Sequence, residues 1–263
     1  METDMLRARA RTATSALVTA YRRYQAAKTR TGANRVLRLL SWMAAAYILL
    51  LCFPQVLFAR ELSYRNLRIY SREPLDNGIY DLLDRVESRL AASDIGTDVT
   101  PRIFMTNGFD VYALLSLYVG RNSFGKSYAA LPADNVFINK ADIAKDLVFR
   151  NTPAPNERSL SGVIAHEITH LWMRKRFGYW RNLAMPAWKK EGYAEYVAGG
   201  ATLDYETGVR MWKANPRDES GYLYFKYYML VRHLLEHDKL GVDALVDRDF
   251  DLRSLEARVL GSL

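Results

Sequence analysis

Over residues 39–59 the chain carries no charged side chain, in a run reading LLSWMAAAYILLLCFPQVLFA between Arg38 and Arg60. As a helix rising about 1.5 Å per residue, that run reaches roughly 31 Å, the thickness of a bilayer core. A buried core helix is one competing reading, but soluble cores rarely stay uncharged for so long. A cleaved signal peptide is another. The basic lead-in is long for one, and Leu57-Phe58-Ala59 is a poor small-x-small cleavage pattern. Trp42 lies near one end, as an interfacial aromatic would, and Pro54 marks a kink or a helix end that a membrane helix tolerates. The run is therefore read as a transmembrane helix over 39–59. Residues 1–38 then form a basic cytoplasmic tail, 60–66 a juxtamembrane linker and 67–263 the folded domain.

The charge distribution supports this division. The net charge of +8 would suggest nucleic-acid binding if it were spread over the fold. Residues 1–38 hold nine Lys/Arg (Arg7, Arg9, Arg11, Arg22, Arg23, Lys28, Arg30, Arg35, Arg38) against Glu2 and Asp4, a balance of +7. The rest of the chain carries +1, so a basic groove for DNA or RNA loses its support. Positive charge before the span places the N-terminus in the cytoplasm and the remainder on the extracytoplasmic side, periplasmic or on the outer face of the membrane in a bacterium. A mitochondrial leader is disfavoured by Glu2 and Asp4. Residues 12–29 read as either a cationic surface helix or a disordered tail. A single cysteine, Cys52, excludes a disulfide framework and a Cys-based zinc finger.

Beyond the span, strand and helix patterns alternate. Residues 67–70 and 102–106 read as strands, the second stopped by the turn pair Asn107-Gly108. Ile79, Leu82, Leu83, Val86 and Leu90 recur at helical spacing. Residues 111–119 read as a helix, and 127–131 and 135–139 as strands across Pro132-Ala133-Asp134. From Ala141 onward the pattern reads as helical, with helices over 159–177, 188–198 and 221–237. This order, a small mixed sheet followed by helices, is α+β.

The chemistry concentrates in His166-Glu167-Ile168-Thr169-His170, inside the helix over 159–177. Side chains four apart share a helix face, so both imidazoles can reach one ion, while Glu167 sits close enough to hold a water. Zinc in a catalytic site wants three protein ligands and an open position. Glu191 follows His170 by 21 positions, room for the helix to end and a second helix to return a carboxylate. Glu195 lies one turn further on, placed to accept a hydrogen bond from a ligand histidine. Gly192 and Ala194 would let that helix pack closely. A second stretch, His233-Leu234-Leu235-Glu236-His237, is an inverted H-x-x-E-H pattern. Glu256 is the only glutamate after it, so it reads as a packed helix without a third ligand.

HEITH followed by PAWKKEGYAEY resembles the gluzincin zinc metallopeptidases, especially the compact "peptidase MA-like" families, most closely over residues 158–198. The resemblance implies a zincin-like fold for 67–263, one zinc per chain on His166, His170 and Glu191, and Glu167 as general base. It also implies that Asn135, Val136, Phe137, Ile138 and Asn139 form the sheet edge along which an extended peptide adds. Tyr222, Tyr224, Tyr227 and Tyr228 compete for an oxyanion-steadying role, with Tyr224 favoured, against plain aromatic packing. The expected function is a membrane-anchored metallopeptidase with a peptide or protein substrate and the lipid bilayer as partners. The alternatives are a zinc hydrolase of a non-peptide substrate and a catalytically silent tethered scaffold. A protease cutting within the bilayer fits poorly, because HEITH lies among charged residues more than 100 positions past the span.

Overall fold

The computed structural model describes residues 18–23, 34–96, 99–118, 120–128, 130–153, 156–200, 203–214 and 222–263. The chain divides into two units, Met1–Leu51 and Cys52–Leu263. Most of the basic tail lies outside the described residues. Of the cationic helix expected over 12–29, residues 18–23 are described and helical.

Helix α1, Asn34–Cys52, is long and apolar enough to cross a membrane, with a mean hydropathy of 1.6. Only 11% of its apolar window is buried, and Leu39, Leu40, Trp42, Met43, Ile48 and Leu49 are all exposed. The expected span of 39–59 is therefore displaced toward the N-terminus. Proline is the cause: it lacks an N–H and disfavours helical backbone at the residue before it. Phe53 accordingly leaves the helix (φ −130°, ψ 58°), and Pro54 opens a short 3-10 turn, Pro54–Leu57.

The expected linker over 60–66 is instead part of the sheet. Strand β1 (Arg60–Tyr64) pairs antiparallel with β2 (Leu67–Ser71). Helix α2 (Ile79–Leu90) buries the five apolar positions read from its spacing. Strand β3 (Arg102–Met105) ends before Asn107, which takes the left-handed conformation (φ 56°) expected of a turn asparagine. Then come α3 (Phe109–Leu115), β4 (Gly125–Ser127) and β5 (Asn135–Ile138). The five strands are ordered β1-β2-β3-β5-β4, with β2, β3 and β5 parallel and β1 and β4 antiparallel at the two edges.

That order corrects the edge-strand assignment. Asn135, Val136, Phe137 and Ile138 lie between β3 and β4, and all four are buried. Asn139 follows the strand, buried, and donates to the Ser123 carbonyl (2.9 Å). The edge nearest them is β4. One sheet face carries Ile69, Ile103, Val136 and Ile138 into the main apolar core. The other is an aromatic ladder in which Phe104 stacks between Tyr70 (4.8 Å) and Phe137 (5.5 Å), with Phe58 tilted against it (5.1 Å).

The helical pattern expected from Ala141 is interrupted by a second antiparallel sheet of β6 (Lys140–Asp142), β7 (Leu147–Phe149) and β8 (Glu157–Ser159). Three-residue strands are too short to display an alternation that sequence could reveal. Thereafter the chain is helical: α4 (Leu160–Phe177), α5 (Tyr179–Ala184), α6 (Ala187–Val197), α7 (Tyr205–Ala214) and α8 (Leu223–Arg232). A π-helical turn (His233–His237), α9 (Val242–Asp247) and α10 (Leu252–Ser262) complete it. The described chain is thus mixed α+β with a small mixed sheet, as expected.

Candidate metal centre

Helix α4 is the central element of the second unit. It packs against α2, α6 and β4, and buried residues occupy all its faces. Ser159 caps its N-terminus by accepting a hydrogen bond from the Gly162 amide (3.1 Å). The Asp146 carboxylate accepts from the Ser161 amide and hydroxyl (2.7 and 2.8 Å), negative charge where the helix dipole favours it. A helix fixed in this way holds its side chains in defined positions, and His166 and Glu167 are among the buried ones.

His166 and His170 turn their Nε2 atoms to within 3.1 Å of one another, with the rings edge to face. Helix α6 brings the Glu191 Oε2 atom to 3.3 Å from each of them. Ligands held about 2.0–2.1 Å from a tetrahedral zinc stand about 3.3 Å apart, so two imidazole nitrogens and a carboxylate oxygen fit that ion in both number and spacing. The three residues predicted as ligands are brought together, and they form a group that could hold a metal ion.

Close helix packing makes this possible. A Cβ at Gly192 would sit 2.5 Å from the Tyr227 carbonyl oxygen and 2.6 Å from Val231 Cγ2, so glycine is what lets α6 lie against α8. Glu195, fully buried one turn past Glu191, has Oε1 at 3.1 Å from His166 Nδ1, in ion-pair range though off the line of a well-aligned hydrogen bond. Arg158 Nη2 bridges both Glu195 oxygens at 3.0 and 2.9 Å. Burial would drive the His166 ring neutral, but Glu191 and Glu195 outweigh it and raise its pKa to about 10. Burial likewise opposes ionisation of Glu191 and Glu195. His170 and His166 hold the first below the usual carboxylate range, and Arg158 and His166 the second. The two carboxylates thus favour positive charge at the His166 ring.

Glu167, 9% exposed, accepts a hydrogen bond from Ser127 Oγ at 2.6 Å. Ser127 ends β4, and β4 reaches α4 only because of Gly125: a Cβ there would lie 2.8 Å from Val163 Cγ1 and 3.0 Å from Glu167 Cγ. Tyr224 lines the same cavity of about 500 Å³ as His166, Glu167, His170 and Glu191. Desolvation and the charges of Glu191, Glu195 and Glu167 push its hydroxyl up to about 12, so it stays a proton donor at neutral pH. Tyr222 is buried by contrast, in the apolar core.

Ser127 and Arg158 were not legible in the sequence. Neither belongs to a motif, and both reach the site through strand placement. A second group among the described residues, His233, His237 and Asp238, also brings ligand atoms within 4.8 Å of one another. The expectation of no third ligand there sought a distant glutamate and overlooked the aspartate directly following His237.

No protein-family model and no curated protein matches the chain. The reading of this centre therefore rests on its own residues.

Proposed function

We propose that this chain is a membrane-anchored zinc metallopeptidase of gluzincin type, with α1 crossing the bilayer, the N-terminus in the cytoplasm and the residues after α1 outside it. The observation that carries the reading is the near-equilateral triangle of His166, His170 and Glu191 donor atoms beside a buried, hydrogen-bonded Glu167. A structural zinc site needs no base, whereas a hydrolytic one does.

Zinc held by these three residues would supply a Lewis acid that polarises a scissile carbonyl and acidifies water. The protein's own groups would do the rest. Ser127 holds one carboxylate oxygen of Glu167, leaving the other to take a proton from the attacking water and pass it to the leaving amine. Tyr224, still protonated at neutral pH, would donate to the oxyanion. Glu195, clamped by Arg158, fixes the orientation of the His166 ring. An extended peptide would add along β4, the edge strand of the sheet, whose residues line the cavity.

The test is hydrolysis of a mixed peptide library by the full chain in detergent micelles, beside Glu167→Gln. Cleavage by the wild type should fall by roughly 10²–10⁴ in the variant while its zinc content is unchanged. Equal cleavage by both would remove Glu167 from the mechanism, and no cleavage by a zinc-loaded wild type would favour a non-peptide substrate.

A further inference from the structure

We propose that the turn over 233–238 is a second, non-catalytic site for a divalent transition cation, with His233, His237 and Asp238 as its ligands. The Asp238 Oδ1 atom lies 3.0 Å from His237 Nδ1 and 3.7 Å from His233 Nε2. These separations straddle the spacing of about 3.3 Å between ligands of a tetrahedral ion.

The observation that points to an ion is His233. Its side chain is 9% exposed, and its Nε2 is buried without a hydrogen-bond partner among the described residues. The 3.7 Å gap to Asp238 is too long for a hydrogen bond. A buried polar atom left in this state is costly, and an ion beside it would supply the missing partner.

The backbone is unusual at the same place. His233–His237 is π-helical, a rare conformation that gathers at functional sites. The wide turn stacks the two rings at 4.5 Å with an interplanar angle of 12°. Near-parallel rings cannot aim both nitrogens at one point, so one ring must rotate to bind. The His237 side chain is 73% exposed and has the room. Arg258, from α10, holds the other carboxylate oxygen of Asp238 at 2.8 Å, which turns Oδ1 toward the histidines.

Two imidazoles and one carboxylate suit zinc, cobalt, nickel or copper, and lack the oxygen-rich shell that calcium and magnesium need. Hydrolysis is not its role. Glu236, the base of an H-x-x-E-H pattern, is instead paired with Arg232 at 2.8 Å. Bound metal would tie the end of α8, which packs on the helix carrying Glu191, to α10 through Asp238 and Arg258.

The test is equilibrium dialysis of the full chain in detergent against Co²⁺ and, separately, Zn²⁺, beside His237→Ala, Asp238→Asn and His170→Ala. We expect two ions per chain in the wild type and one in each of the three variants. The weaker ion should be the one lost from His237→Ala and Asp238→Asn. Metal-dependent elevation of the thermal midpoint should persist in His170→Ala and disappear when His237→Ala is added. Because His237 is exposed, its replacement leaves the core intact. An unchanged ion count in His237→Ala overturns the proposal, whatever the wild-type number. A full count in His170→Ala would instead overturn the first centre and leave this one standing.

Discussion

Both histidine pairs in this chain are four residues apart, yet they sit in opposite surroundings. His166 and His170 lie on a regular, buried α-helix, and their third ligand comes from another helix 21 positions on. His233 and His237 lie on a π-helical turn, with the adjacent Asp238 as third group and one ring mostly exposed. The first centre exists only when the fold is complete, because α6, β8 and β4 must each deliver a side chain to it. The second is a local turn that needs only Arg258 from elsewhere. A site assembled over long range can be buried, charged and fixed in geometry, as catalysis requires. A local one with one exposed ring would exchange an ion more readily.

The largest effect should come from breaking the long-range support of the first pair. Glu195→Ala removes the partner of His166 and leaves Arg158, whose side chain is 14% exposed, without its carboxylate. Loss of one member of a buried ion pair costs about 3–5 kcal/mol, and loss of such a supporting contact lowers metal affinity about 10–100-fold. Chemical denaturation and competitive zinc titration would measure the two, with cobalt binding at 233–238 unaffected.

A smaller effect is expected from Ser127→Ala, which deletes one hydrogen bond to Glu167. Bonds to charged groups contribute about 1.5–3 kcal/mol, so the rate of the proposed hydrolysis should drop at least about tenfold at full zinc occupancy. Ser127→Thr should restore most of the rate. A rate unchanged in Ser127→Ala would show that Glu167 holds its orientation without β4.

The smallest effect is one of pH. In the metal-free protein His166 keeps its proton up to about pH 10, whereas in an unfolded chain it releases it near 6.5. That group's contribution to folding is complete below about pH 6.5 and is lost as pH rises through about 10. Zinc must displace the proton, so affinity should climb across this window. Calorimetry at pH 7.5 in buffers of different ionisation enthalpy should detect about one proton released per zinc. An observed enthalpy that is the same in every buffer would mean that the ring is already neutral.

Sequence reading reached what is local or periodic. The apolar face of α2, the length of α4, the HEITH pair and the closeness of Gly192 all follow from spacing along one helix. Glu191 was legible because its helix carries its own pattern. What depended on strand order was not. The edge strand that the resemblance implies over 135–139 is instead internal, and the four consecutive buried residues of β5 are what a strand covered on both faces presents. Ser127 and Arg158 stand 40 and 37 positions before the residues they bond at the centre, Glu167 and Glu195, and no spacing rule connects them. The apolar run over 39–59 showed that a helix forms there, but Pro54 ends it early, and residues 60–64, expected as a linker, pair as β1.

The most direct test of the three-ligand centre is zinc content in the His237→Ala background, where only that centre can count, with and without Glu191→Ala. One tightly held zinc per chain is expected, lost or sharply weakened when Glu191 is replaced. A well-folded protein that holds no tight zinc with Glu191 in place would contradict it.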